Sequence, residues 1–434
     1  MPDESVLESM RSDWNRRARE DANYYVAFGR RNQPEAEFFD SAADVVRALE
    51  TELRRRDRVV WLEGTALEIG CGPGRLMRPM SRHFARIDGV DVSDQMILLA
   101  RERLRAIPNA YPHHGSGSDL ALFPSDTFDF VYSFAVFQHI PSRDVVFHYL
   151  REARRVLKPG GILRCQINGL PQHDHSYDTW SGVRIAPDEV TAFALENDLQ
   201  LLALEDIWTQ YMWITCRKMP AGWVRSLAGR STGKVSVIRS ISNALTGERV
   251  APVSGPLAAL SVWIQFLPGE CGLNHLQVTA DGRECRMIYI GPPEPDGVSQ
   301  VNVWLPEGLR TGLVPVEVSW LGQPVSDLGW VRIMPASPAV PRISAVTDAV
   351  NLLSGTRIIS RFVKVAMTEV PHAGEFHATV DGCDALDTAW FCTDPLGAGY
   401  EFNFRLPEAI ATGPHQVRIA LGRRTFAPVA IEVA

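Results

Sequence analysis

The sequence predicts an α/β doubly wound domain, its mainly parallel sheet closed by an antiparallel hairpin, followed by two all-β domains. Three observations carry this. Short apolar runs alternate with helix-period patterns over residues 1–218. From about residue 241 period-two runs take over, such as Ser261-Val262-Trp263-Ile264-Gln265-Phe266, broken by Gly and Pro. That second half also repeats itself: Asp281-Gly282 recurs as Asp381-Gly382, 100 residues on, and Leu305-Pro306-Glu307 as Leu406-Pro407-Glu408, 101 on.

These patterns set expected boundaries. A helical segment occupies 1–40, the α/β domain 41–218, a Gly- and Arg-bearing linker 219–240, and the β domains 241–335 and 341–434, with a Pro-rich connector between the last two. Each β copy, at ~100 residues with several short strands, fits an immunoglobulin-like sandwich. It resembles the bacterial IPT/TIG modules, in which a strand ends in a "Leu-Pro" pair.

Bulk properties narrow the function. Lys and Arg number 44 against 51 Asp and Glu, a net charge of −7, which argues against a general nucleic-acid binder. No run approaches the ~20 apolar residues of a membrane span. The acidic start Met1-Pro2-Asp3-Glu4-Ser5 leads into no signal-peptide core. The seven cysteines are scattered, none at CxxC spacing, so neither a metal site nor a disulfide framework is indicated, and a reducing cytoplasmic location is expected.

The elements of the α/β domain follow in order. A helix is expected over 42–53. Residues 65–70 read as a buried strand, Cys71-Gly72-Pro73-Gly74 as a turn, and 75–84 as a helix. Strand, glycine turn and helix form the ligand crevice of a doubly wound sheet. A second strand, 87–91, ends in Asp91 and leads into a helix over 96–104. A weak third strand lies near Tyr111, and Phe128-Asp129-Phe130-Val131-Tyr132-Ser133 is the fourth. Ser142 caps the next helix. Lys158-Pro159-Gly160-Gly161 ends it before a fifth strand at 162–167. A further helix begins near Pro187. Strands at 199–207 and 211–217 are joined by only three residues, too few for a parallel crossover.

Leu67-Glu68-Ile69-Gly70-Cys71-Gly72-Pro73-Gly74, the acid of Asp91, Leu-Lys-Pro-Gly-Gly and the terminal hairpin together resemble the class I S-adenosylmethionine-dependent methyltransferases, with their Rossmann-like fold. The resemblance covers roughly residues 40–218. It implies S-adenosyl-L-methionine as cofactor and an unidentified methyl acceptor. The turn with Glu68, Gly70, Cys71, Gly72 and Gly74 would lie along the amino acid end and the ribose, Asp91 would accept from both ribose hydroxyls, and Val92 and Met96 would belong to the same cofactor site. Asp119 and Leu120 would meet the adenine, and Ser133 and Phe134 would stand beside the reacting methyl. Residues 1–40, with Trp14, Arg17, Arg19, Tyr24, Tyr25 and Phe28, would form a lid.

Catalytic candidates are His139, after the fourth strand, and His173, His175 and Tyr177 in the loop beyond the fifth. His139 reads rather as a packing or hydrogen-bonding residue, and the His173–Tyr177 loop equally as a solvated one. Methyl transfer needs a general base only where the acceptor must lose a proton. Two other functions compete: a non-catalytic scaffold on a degenerate methyltransferase domain, which the intact Glu68, Gly70, Gly72, Gly74 and Asp91 disfavour, and a nicotinamide oxidoreductase, disfavoured by the glycine spacing and the hairpin. The β domains would serve assembly or bind a glycan or protein partner.

Overall fold

The computed structural model describes residues 4–27, 31–172, 176–230, 233–336, 339–351, 354–394 and 398–434. The chain forms two compact units, one drawn mainly from residues up to Pro335 and the other mainly from those beyond it. No helix among the described residues is long and apolar enough to cross a membrane.

The first unit is built on seven strands: β1 (Thr65–Ile69), β2 (Arg86–Asp91), β3 (Ala110–His114), β4 (Phe128–Ser133), β5 (Leu157–Ile167), β6 (Leu199–Glu205) and β7 (Met212–Lys218). They lie in the order β3-β2-β1-β4-β5-β7-β6. The first five run parallel, and β7 enters antiparallel between β5 and β6. Short, mostly apolar runs rather than period-two alternation suit the central strands, which are buried on both faces. Leu67, Ile69, Val131, Leu163 and Cys165 face one core, and Ala66, Phe130, Tyr132 and Ile162 face the other.

The elements flanking the strands depart from expectation in two places. The helix expected over 75–84 is a single turn, Met77–Met80, followed by a 3-10 turn, Ser81–His83. Pro79 has no N–H to donate, and the chain must turn back into β2 within a few residues. The Lys158–Gly161 turn lies inside β5 as a bulge, with Phe128 opposite Leu157 but Phe130 opposite Ile162. Ser142 accepts from the Val145 N–H, and Ser93 from that of Met96, capping the helices Arg143–Val156 and Asp94–Arg103.

The sheet does not stop at β6. The first β repeat contributes β8 (Val237–Asn243), β9 (Val250–Pro252), β10 (Ala259–Gln265), β11 (Leu276–Ala280), β12 (Arg283–Glu284), β13 (Arg286–Ile290), β14 (Val298–Trp304), β15 (Gly312–Trp320), β16 (Gln323–Pro324) and β17 (Gly329–Met334). Four of these extend the first sheet as β6-β13-β14-β10-β8, giving eleven strands, and the others form a second sheet across a shared core. Trp223 and Leu227, from the stretch between the domains, pack into that core. Side chains lock the joint. Gln200 Nε2 donates to the carbonyls of Gly269 (2.9 Å) and Cys271 (2.8 Å). The buried Arg55 pairs with the equally buried Glu52 at 2.6 Å and donates to the Ile290 carbonyl at 2.8 Å.

The second unit repeats that arrangement with β18 (Arg342–Asp348), β19 (Arg357–Ile358), β20 (Phe362–Thr368), β21 (Phe376–Val380), β22 (Cys383–Asp384), β23 (Leu386–Asp394), β24 (Gly399–Arg405), β25 (Gly413–Leu421), β26 (Arg424–Thr425) and β27 (Val429–Val433). Its two sheets, β18-β20-β24-β23 and β19-β27-β25-β21-β22, enclose a core containing Val365, Phe402, Phe404 and Val417.

Substituting Arg55 by Met leaves the Glu52 carboxylate buried without its cation. We expect a loss of ~3–5 kcal/mol in folding free energy, read from the midpoint shift in urea unfolding; a change under ~1 kcal/mol would mean that the pair does not stabilise the joint.

Candidate functional site

A crevice of about 870 Å³, open solvent at its mouth included, lies at the carboxyl ends of β1, β2 and β4. That is where the strand order reverses and where ligands bind in open α/β sheets. The turn after β1 shapes its floor. Gly70, Gly72 and Gly74 all adopt left-handed backbone, with φ of 71°, 50° and 86°. The N–H groups of Gly70 and Cys71 both donate to the Val90 carbonyl of β2, at 2.8 and 3.0 Å, which pins the turn to the neighbouring strand.

The three glycines are not equivalent. A Cβ on Gly70 would stand 2.2 Å from the Val136 side chain, and one on Gly74 2.9 Å from Leu104. A Cβ on Gly72 would meet only Val26, at 3.5 Å. Main chain is therefore exposed to the crevice at Gly72, in a cradle that a side chain would fill.

Two carboxyl groups flank this cradle. Asp91 accepts from the N–H of Gly72 (2.9 Å) and of Ser93 (2.8 Å). Burial raises its pKa, and those N–H groups partly offset the rise. A carboxylate has about four acceptor sites, so two remain for ligand hydroxyls. Glu68 is buried beneath the turn and accepts from the Tyr132 hydroxyl at 2.9 Å. Burial pushes its carboxyl up to about 8, against the opposing pull of the Tyr132 hydrogen bond and the Arg75 charge.

Arg75 was not among the residues expected from the sequence. It lines the crevice, its guanidinium held by the carbonyl and hydroxyl of Ser41 at 3.3 and 3.1 Å and lying 5.7 Å from the Phe134 ring. Its place directly after the glycine turn was the available signal. Ala135 lines the crevice in left-handed backbone, φ 57°, its N–H bonded to Gln166 Oε1 at 2.9 Å. Strain of this kind concentrates at ligand sites.

The N-terminal helix Glu4–Ala27, kinked at Asp21, supplies Met10, Trp14, Tyr25 and Val26 to the same crevice. Asn15 ties it to the cap at Ser93 (2.7 Å), and Arg17 donates to Thr179 through its carbonyl (2.9 Å) and hydroxyl (3.0 Å). Phe28 lies outside the described residues. His139 lines the crevice beneath this helix, its ring edge-on to Trp14 at 5.4 Å. Its Nδ1 lies 3.1 Å from the Trp180 carbonyl, which can only accept, so Nδ1 carries the proton, and Nε2 faces the Gln138 amide at 3.3 Å. Burial holds the imidazole at about 4, neutral at physiological pH.

Of the residues expected from the sequence, Glu68, Gly70, Cys71, Gly72, Asp91, Val92, Met96, Phe134 and His139 line one crevice. Gly74, Asp119, Leu120, Ser133 and Tyr177 stand outside that lining. Asp119 accepts from the Ala121 N–H, the Leu120 N–H donates to Glu152, and the Ser133 hydroxyl donates to the Ile69 carbonyl. His173 and His175 lie outside the described residues. The Cys71 thiol is raised well above its usual range by burial and is inert as a nucleophile. No cluster of three or more metal-ligating side chains occurs among the described residues.

Residues 67–165 match the family model described as "Methyltransferase domain". The chain is 33% identical over 108 residues to the probable methyltransferase ltbC of Aspergillus luteorubrus, covering 22% of this chain and 37% of that protein. It is 30% identical over 99 residues to the ubiquinone biosynthesis O-methyltransferase of Cereibacter sphaeroides, covering 23% of this chain and 39% of that protein. The matched segment thus spans about two-fifths of the length of these curated relatives. A solved S-adenosylmethionine-dependent methyltransferase from Aquifex aeolicus aligns with a TM-score of 0.30 at 17% identity, covering 41% of this chain and 98% of that one. Residues 67–165 are therefore similar to a methyltransferase domain.

The two glycine environments separate folding from binding. Gly72→Ala should fold, losing ~1–2 kcal/mol to left-handed strain, while its methyl group blocks S-adenosylhomocysteine binding in a calorimetric titration. Gly70→Ala adds a clash with Val136 and should lose a further ~1–3 kcal/mol. Equal stability of the two variants, or unimpaired binding by Gly72→Ala, would contradict the cradle.

Proposed function

We propose that this protein transfers a methyl group from S-adenosyl-L-methionine to an acceptor that enters beneath the N-terminal helix. One observation carries the reading: the open main chain at Gly72 stands between a ribose-ready carboxylate, Asp91, and a buried acid, Glu68. The residues fit the cofactor group by group. Asp91 accepts from the ribose hydroxyls, and Val92 and Met96 flank the sugar and base. The Gly70–Gly72 backbone lies along the methionyl chain, Glu68 faces its ammonium, and Arg75 answers its carboxylate.

When bound, the cofactor supplies a methyl group already activated on a sulfonium, which the acceptor atom takes as the thioether leaves in line. The chain's own part is alignment and exclusion of water. Phe134, Trp14 and Tyr25 wall the crevice with aromatic surface. His139, neutral and fixed in one tautomer, positions the Trp180 backbone and the wall beside it; with Nε2 against Gln138 it is not poised as a free base. The N-terminal helix is the lid of this site, and the bonds from Arg17 to Thr179 hold it down.

We further infer that the β repeats are immunoglobulin-like modules of IPT/TIG kind, serving assembly or recognition of a glycan or protein. The seven cysteines form no disulfide, which suits a reducing compartment such as the cytoplasm.

Saturating S-adenosylhomocysteine should raise the melting temperature of the wild type, and of Asp91→Ala little or not at all, because only binding to the native state stabilises it. No shift in the wild type would remove the reading.

Glu68 adds a pH signature. Its folded-state value near 8 lies above the usual 4.5, so the unliganded fold keeps a proton that the unfolded chain releases, and stability declines as pH rises from about 4.5 through 8. Facing a ligand ammonium, Glu68 must give up that proton. S-adenosylhomocysteine affinity should therefore rise by up to ~tenfold per pH unit below about 8 and level off above it, with proton release seen in buffers of different ionisation enthalpy. Glu68→Gln should flatten the profile; a pH-independent wild type would rule out the pairing.

A further inference from the structure

Tyr149 lies on the buried stripe of the helix Arg143–Val156, among Val145, Val146, Leu150, Ala153 and Val156. It is the one member of that stripe with a polar tip. Its side chain is 6% exposed and lines the crevice, the ring edge-on to Phe137 at 6.0 Å. Helical side chains lean toward the start of their helix. Here the start, at Ser142, follows closely on Ile140 of the crevice lining, so the phenol leans toward the crevice.

A buried phenol normally hydrogen-bonds. Tyr132 does so, donating to Glu68 at 2.9 Å. The Tyr149 hydroxyl has no hydrogen-bond partner among the described residues, yet it is not one of the polar atoms sealed from solvent. Burial and the charges of Asp91 and Asp119 raise its pKa far above the usual range, so it stays protonated and able to donate.

The neighbouring acids place this hydroxyl along the ligand. With Asp91 on the ribose, Glu68 and Arg75 take the methionyl end. Asp91 and Asp119 act on the Tyr149 phenol, whereas Glu68 acts on Tyr132 and Cys71. Tyr149 thus stands on the far side of the ribose from the methionyl group, where the base must lie. Val92, next to Asp91, and Gly117, near Asp119, line the crevice with Met96, and their side chains offer a base no hydrogen bond. Asp119 itself accepts from the Ala121 N–H and stands outside the lining.

We propose that Tyr149 is a specificity-determining residue for the cofactor, its hydroxyl donating to an unprotonated ring nitrogen of the adenine. This rests on the cofactor reading above. An apolar slot holds a flat base by its faces and leaves it free to slide and turn. One donor aimed at the ring edge fixes its position and rejects a base that lacks the acceptor. The same donor lacks a protein partner in the unliganded fold, so its removal should cost binding and not stability.

The full-length protein is titrated calorimetrically with S-adenosylhomocysteine and with its three deaza analogues, each having one ring nitrogen replaced by C–H. Tyr149→Phe should bind S-adenosylhomocysteine ~5–10-fold more weakly than the wild type, with an unliganded melting temperature no lower. At least one analogue should lose a similar factor on the wild type, and that loss should vanish on Tyr149→Phe. A wild type that binds S-adenosylhomocysteine, with Tyr149→Phe within ~twofold of it, overturns the inference and leaves the cofactor reading standing. A wild type that binds none removes both. A weakened Tyr149→Phe that discriminates among the analogues as the wild type does puts the hydroxyl on another part of the ligand and overturns the proposal. A clearly lowered melting temperature reveals a partner within the protein and does the same. Should Tyr149→Phe fail to fold, the analogues on the wild type decide: a weakened one supports the bond, and equal affinities refute it.

Discussion

The catalytic unit depends on one constraint: the main chain after β1 must turn left-handed three times within five residues while staying bonded to β2. The Val90 carbonyl accepts from two successive N–H groups of that turn, and the Asp91 carboxylate accepts from a third, so the turn and the tip of the second strand form one rigid piece. Only glycine takes such backbone without strain. The packed sides of Gly70 and Gly74 and the open side of Gly72 show how one motif can fasten a turn to its core and still bare its backbone to a ligand.

The acids around that turn behave differently because their surroundings differ. Glu68 sits in the core with one hydroxyl partner and holds its proton near neutral pH. Asp91 sits at the crevice with two N–H donors that favour its charged form. Arg75 brings positive charge to the same region without a close ion pair, anchored instead on a carbonyl and a hydroxyl. The result is a crevice lined by two carboxyl groups and a guanidinium together with apolar and aromatic side chains.

The sheet of the first unit shows how a β module can become part of an enzyme. An antiparallel edge such as β6 exposes a row of backbone groups that must be covered. Here β13 covers it, and buried side chains from a helix (Arg55 and Glu52) and from β6 itself (Gln200) hold the module in register. The module is thereby continuous with the catalytic sheet, which makes its second sheet and core a fixed extension of the same unit.

Local chemistry determined much of this protein from its sequence alone. The two-sided burial of β1, β4 and β5 follows from their short, mostly apolar runs, the crevice turn from three glycines at fixed spacing, the helix starts from Ser93 and Ser142, and the antiparallel β6 and β7 from a connection too short to cross over. These are effects of neighbours in the chain, acting over a few residues. Only the tertiary structure decided the rest. It brought Arg75 to Ser41, 34 residues earlier, turned Asp119 and Ser133 to bonds of their own, set His139 under Trp14, and joined β6 to β13. Each of these is a pairing of groups remote in sequence, fixed by which surfaces meet when the cores close, and no periodicity or motif encodes such a meeting.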